Sequence, residues 1–252
     1  MPNWIRNKLI VSNKFINELQ KYHCKYDEFN NIYFDFNTVI ELPKELEIEI
    51  SSKSYDGLKL YLAKINPSFK EYGEKKDKWI IDEYSSLIDN LKKTRCFFDN
   101  FLIDQNEIKA IITKYKDNIN EVEELGRKMI QNYKDYQYMN WYDWCVDKWG
   151  TKWNSYNTKI GFNYLMFDTA WNPPIPLIIK LSKLHPNIKM ALLYSNENIG
   201  YQTGFMLITN GTVDLEGTFK DESIDAYKLA FDLWDCGDSY RYDEGIGTYV
   251  PK

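Results

Sequence analysis

A long apolar stripe in the middle of the chain constrains the fold more than any other feature. Apolar side chains recur there at the three- and four-residue spacings of an α-helix with one buried face. They are Ile108, Ile111, Ile112, Tyr115, Ile119, Val122, Met129, Tyr133 and Tyr136. The stripe predicts one long helix or a helix pair, with Gly126 either breaking it or allowing close packing. Because Pro67 is the only proline between residues 44 and 138, this whole stretch is interpreted as a helical insertion.

The two flanks of the insertion alternate between β-rich and helix-forming segments. Strands are predicted at 8–11, 32–36, 161–167 and 189–195. Helices are predicted at 15–22, after Pro173-Pro174, and behind an Asp221 cap. Asn210-Gly211 between two β-rich runs predicts a hairpin with a type I′ turn. This order predicts an α+β fold, a split βαβ (ferredoxin-like) antiparallel sheet formed by 1–43 and 139–252, with 44–138 inserted.

Composition excludes several classes of protein. The 252 residues are 44% hydrophobic with a net charge of −5, which excludes a disordered chain and a wholly basic nucleic-acid binder. No run approaches the ~20 apolar residues of a membrane span, so no membrane partner is expected. Four cysteines without a CxxC pair and two histidines predict no metal, no cofactor and a reducing, cytoplasmic location. No phosphate loop or nucleophile elbow is present, which favours a protein that is not an enzyme.

A tryptophan-rich block after the insertion supplies the candidate binding residues. They are Trp149, Lys152, Trp153, Asn154, Asp168 and Trp171. Aromatic rings beside lysines can stack bases and hold phosphates, but the same rings can also fill a core, and the sequence leaves both readings open. Two further alternatives carry less weight: a carboxylate cluster of Asp143, Asp147 and Asp168, and a metal pair of His23 and Cys24.

The C-terminal region is strongly acidic. Residues 214–244 include ten acidic residues and only three basic ones. The candidate acidic partner surface consists of Asp221, Glu222, Asp225, Asp232 and Asp235. Such a surface can imitate the phosphates of a nucleic acid in a partner's channel, or it can be an ordinary solvated face.

Three short motifs carry a family resemblance: Met1-Pro2-Asn3-Trp4, Trp-Gly-Thr-Lys-Trp-Asn from Trp149, and Thr-Ala-Trp-Asn-Pro-Pro from Thr169. Together they resemble the YubB-like family of plasmid and phage proteins, whose C-terminal part is described as ferredoxin-like. The resemblance implies an accessory protein of a mobile element that acts by binding. We therefore expect an anti-defence (anti-CRISPR) inhibitor that makes a protein–protein interaction with a host defence protein such as a Cas effector. The alternative is an RNA or nucleotide binder that uses the Trp149–Trp171 region.

Overall fold

The computed structural model describes residues 3–66 and 104–252, together with Asp89. The chain divides into two compact units, one formed by Met1–Glu41 and Cys145–Lys252 and the other by Leu42–Trp144. The boundaries predicted from sequence, at 43/44 and 138/139, stay a prediction beside this division. Apart from Asp89, residues 67–103 of the predicted insertion lie outside the described residues.

The strands and helices follow one another in a βα order that the insertion interrupts. The strands are β1 Trp4–Ile10, β2 Cys24–Tyr26, β3 Ile32–Phe34, β4 Tyr156–Ile160, β5 Tyr164–Ala170, β6 Lys189–Asn196, β7 Gly204–Thr209, β8 Thr212–Thr218, β9 Tyr240–Asp243 and β10 Thr248–Pro251. The helices are α1 Asn13–His23, α2 Ser52–Ile65, α3 Gln105–Lys114, α4 Ile119–Tyr136, α5 Trp141–Lys148, α6 Ile175–Leu184 and α7 Ile224–Trp234.

Six strands form one antiparallel sheet in the order β4-β5-β1-β6-β7-β8. The succession β1-α1-β4-β5-α6-β6, with β1 between β5 and β6, is the split βαβ arrangement. The hairpin β7–β8 extends the sheet beyond it. The predicted ferredoxin-like α+β fold is therefore confirmed.

One predicted strand lies elsewhere than expected. Ile32–Phe34 does not join the main sheet but pairs with Cys24–Tyr26 in a small separate one, across a turn in which the Asp27 carboxylate accepts from two backbone amides. The second strand of the ferredoxin-like fold is instead Tyr156–Ile160, which follows the insertion. A β-rich composition shows that a segment suits a pleated surface, but it does not select the pairing partner.

The two faces of the main sheet differ in how they are covered. Along β1, Ile5, Asn7 and Leu9 are fully buried, whereas the alternating residues Trp4, Arg6 and Lys8 are partly exposed. On the buried face, α1 contacts β5 and α6 contacts β7, and both helices bury their apolar sides. We call the other face of the sheet the outer face. Helix α7 lies on part of it, and its residues contact Arg6 and Lys8.

Two local features of the first unit, a hairpin turn and a helix cap, were predicted from the sequence. Asn210 and Gly211 have φ angles of 50° and 71°, so the predicted hairpin turn is confirmed. The predicted cap of α7 is wrong, because Ser223 rather than Asp221 accepts the amide hydrogen of Ala226. Asp221 lies too far upstream to reach the first turn, and its carboxylate accepts from the Gln202 backbone amide instead.

The second unit is helical in its described part. The apolar stripe forms a helix pair, α3 and α4, rather than one helix. Gly126 does not break α4; a Cβ there would lie 2.0 Å from the carbonyl oxygen of Gly57 in α2, so it is a point of close packing. Among the described residues, no helix combines the length and apolarity that a membrane crossing requires.

Candidate functional site

Aromatic side chains gather at one end of the outer face. The rings of Trp4 and Tyr156 stack with centroids 5.3 Å apart, and the ring of Trp153 lies 6.3 Å from that of Trp4. Trp153 is 39% exposed, Tyr156 58% and Trp171 45%. We call Trp4, Trp153 and Tyr156 the aromatic surface; Trp171, which directly follows β5, is a further exposed ring.

The sheet register explains why residues distant in sequence meet here. Tyr156 lies opposite Asp168, and Trp4 lies opposite Ala170 two residues further along β5, so both rings stand on the outer face on either side of β5. Trp153 comes from the loop that leads into β4. That loop begins at Gly150, whose φ of 84° and close approach to Pro176 require a residue without Cβ.

Trp171 has an uncommon backbone conformation. Its φ is 72°, in the left-handed region that large side chains rarely adopt. The surrounding chain holds it there: its amide donates to the Asn3 carbonyl at 2.8 Å, and its own carbonyl accepts from Gln202 Nε2 at 3.0 Å. A strained residue with an exposed aromatic ring is the kind of feature that concentrates at binding sites.

An ion pair lies in the outer face beside the rings. Arg6 Nε and Nη2 donate to the two carboxylate oxygens of Asp168 at 2.9 and 3.0 Å, and Asn157 Nδ2 donates to the same carboxylate at 3.1 Å. The Cζ atom of the same guanidinium lies 4.0 Å from the centroid of the Trp234 ring. Both oxygens of Asp168 are thus engaged, and this carboxylate holds β1, β4 and β5 together rather than facing solvent.

Cations border the aromatic surface. Lys152 Nζ lies 3.9 Å from the centroid of the Trp153 ring. Lys159 is exposed and lies opposite Met166, as does Lys8 from the other neighbouring strand. The described outer face therefore offers flat rings with positive charge beside them, which is the combination that binds bases and phosphates.

The six binding candidates from sequence fall into two groups. Lys152 and Trp153 lie at the aromatic surface, and Trp171 is exposed directly after β5. The other three, Trp149, Asn154 and Asp168, make internal contacts. Trp149 is 3% exposed and its indole donates to the Ile40 carbonyl at 2.9 Å, so its side chain fills the core.

Asn154 also makes internal contacts. Its Oδ1 accepts from the Phe36 amide at 2.9 Å, and its Nδ2 donates to Asp35 at 2.8 Å, so it fixes the segment that follows β3. Sequence reasoning did not select Trp4 and Tyr156. The alternation of Trp4, Arg6 and Lys8 along β1 was the available signal for Trp4, but nothing local marked Tyr156.

The candidate acidic residues are all exposed but do not form one cluster of free carboxylates. Glu222 accepts from the Tyr201 hydroxyl at 2.6 Å, and Asp232 pairs with Lys8 at 2.9 Å. Asp221 is bound to the Gln202 amide as described above. Asp225 lies in the first turn of α7 and Asp235 at its left-handed C-terminal cap, so the set follows the whole length of that helix.

Within the described part of the chain, no three His, Cys, Asp or Glu side chains stand together as ligands for a metal ion. His23 does not pair with Cys24 as a ligand set; its Nε2 lies 3.3 Å from Nε2 of His185. Burial and the neighbouring His185 lower the pKa of His23 to about 4. Burial raises the pKa of Cys24 to about 12, which disfavours the thiolate that a metal requires.

A match to a protein-family model supports the ferredoxin-like fold of residues 148–237. A family model described as "Ferredoxin-like domain in Api92-like protein" matches residues 148–237. The crystal structure of protein api92 from Yersinia pseudotuberculosis aligns with 87% of this chain and 99% of its own, at 13% identity and a TM-score of 0.35. No curated protein sequence matches.

Proposed function

We propose that this chain is a binding protein whose aromatic surface binds single-stranded RNA or a nucleotide. The observation that carries the proposal is the contact of three aromatic side chains, Trp4, Trp153 and Tyr156, at one end of the outer face, where Trp153 is 39% and Tyr156 58% exposed. Large rings are normally buried where the fold needs them for stability, as Trp149 is. Rings that are left accessible and stacked on one another are available for stacking on bases.

Charge and backbone strain support the same ligand. Lys152 and Lys159 place positive charge beside the rings, where the phosphates of a stacked strand would pass. Trp171 adds a 45% exposed ring at a left-handed backbone position that costs folding free energy of order 1–3 kcal/mol, and such positions cluster at binding sites.

The test is a titration of a fluorescein-labelled ten-nucleotide RNA, followed by anisotropy. Base–aromatic stacking contributes about 1–3 kcal/mol per base, so Trp153→Ala and Tyr156→Ala should each weaken binding by at least about fivefold. Phe29→Ala is the matched control, because Phe29 is an aromatic residue that is 77% exposed in the turn between β2 and β3 and is not part of the aromatic surface. RNA binding that is absent, or equally affected by all three substitutions, refutes the proposal.

A second candidate function is the anti-defence one, in which the chain inhibits a nuclease effector of CRISPR immunity by docking on it. It is favoured by the exposure of five acidic residues, because exposed carboxylates can occupy a channel built for phosphates; they are Asp221, Glu222, Asp225, Asp232 and Asp235. This candidate also rests on the resemblance to the YubB-like family of plasmid and phage proteins, which stays a prediction.

Native mass spectrometry of the tagged chain, purified from a host with active CRISPR immunity, separates the two functions. An effector bound at fixed stoichiometry, and lost when Asp225 and Asp235 are both replaced by Asn, supports inhibition. A mass increment from RNA that survives those substitutions supports the aromatic surface instead. A chain without either partner contradicts the inhibitor function in that host.

A further inference from the structure

The C-terminal turn of α7 lies on the outer face next to the aromatic surface. Asp232 Oδ2 is 2.9 Å from Lys8 Nζ, and the centroid of the Trp234 ring is 4.0 Å from Arg6 Cζ. Lys8 and Arg6 both project from β1, on the same side as Trp4. A carboxylate thus sits on one cation of this strand and an aromatic plane on the other.

These two contacts have the chemistry of a nucleotide. A carboxylate on a lysine replaces a phosphate oxygen, and an indole over a guanidinium replaces a stacked base. We infer that Asp232 and Trp234 compete with the ligand for Lys8 and Arg6, so that the C-terminal turn of α7 sets the affinity of the aromatic surface. This inference rests on the proposed function.

The competition involves side chains rather than the whole helix. Ala226, Ala230 and Leu233 of α7 are at most 2% exposed, so their burial holds the helix on the sheet. The Asp232 side chain, by contrast, is 58% exposed and can turn into solvent without uncovering the core. The Trp234 side chain is fixed by packing but not by a hydrogen bond, because its buried Nε1 has no acceptor.

Asp232→Asn tests this directly, with Asp225→Asn as the matched control. Both substitutions remove one exposed carboxylate of α7 and change the net charge equally, but only Asp232 contacts Lys8. Binding of the ten-nucleotide RNA is measured at several salt concentrations. Asp232→Asn should bind two- to fivefold more tightly than Asp225→Asn, which is the range an exposed ion pair supports.

The salt dependence supplies a second readout. Releasing Lys8 to the ligand adds about one phosphate contact, which should steepen the slope of log K against log salt by about 0.7 for single-stranded RNA. Lys8→Gln should then weaken binding in the Asp232→Asn background and change little in the native background, where Asp232 already holds Lys8.

The outcomes distinguish the two proposals. If the native chain binds RNA but Asp232→Asn and Asp225→Asn have the same affinity and slope, the competition is refuted and RNA binding stands. If neither the native chain nor Asp232→Asn binds RNA, both fall. Binding by Asp232→Asn that is tighter, steeper in salt and dependent on Lys8 supports both.

Discussion

Replacing Trp149 should separate the structural tryptophans of this chain from those of the candidate site. Trp149 is 3% exposed, its ring meets Phe36 edge to face at 5.6 Å, and its indole is bonded to the Ile40 carbonyl. Truncating a buried Trp to Ala costs about 3–5 kcal/mol, part of it from the cavity that remains. The Ile40 carbonyl also loses its donor, a loss of about 1 kcal/mol within that range.

The measurement is urea denaturation followed by circular dichroism. Trp149→Ala should lower the free energy of unfolding by about 4 kcal/mol, or the melting temperature by roughly 8–16 °C for a chain of this size. Trp153→Ala is the matched control and should cost under about 1.5 kcal/mol while weakening RNA binding, because its ring is 39% exposed. The reasoning is refuted if the two substitutions destabilise the protein equally, or if only Trp149→Ala reduces binding.

Three further substitutions test other contacts. Asp168→Asn should cost about 3 kcal/mol in urea denaturation, because it leaves the Arg6 guanidinium partly buried without its carboxylate; a cost as small as that of Asp232→Asn would contradict this. Gly126→Ala should lower the free energy of unfolding by at least about 2 kcal/mol despite the higher helix propensity of alanine, because its Cβ would lie 2.0 Å from the Gly57 carbonyl oxygen. Lys128→Ala is the control, since Lys128 is exposed on the same helix, and it should change the free energy of unfolding very little. The pKa of His23 is lowered to about 4 in the folded chain, so the unfolded chain binds more protons. The free energy of unfolding should therefore fall, by at most about 3 kcal/mol, as the pH drops from about 6.5 towards 4. His23→Asn should lose that part of the slope, and an unchanged pH profile would argue against the burial of His23.

Local sequence signals determined several elements of this protein. The three- and four-residue apolar spacing specified α4, because only a helix brings such positions to one face. Asn210-Gly211 specified the hairpin, because few other residue pairs tolerate two positive φ angles. The order of the β-rich and helix-forming segments predicted the ferredoxin-like fold, although one of those strands, 32–36, lies outside the main sheet.

The candidate site was decided by the tertiary structure. The block from Trp149 to Trp153 contains one buried and one exposed indole only four residues apart, and nothing in the local sequence distinguishes them. Their exposure depends on what packs against them, which for Trp149 is Phe36 and the Ile40 carbonyl, brought from more than 100 residues away.

The pairing of strands was equally beyond local sequence. Tyr156 joins Trp4 only because β4 and β1 flank β5 in one register, across an insertion that separates them in the chain. Register is set by the burial of a whole face, so it becomes visible only when the strands are assembled. Sequence by itself therefore determined many of the elements, though not β4, while the assembled sheet determined which side chains meet and remain exposed to a ligand.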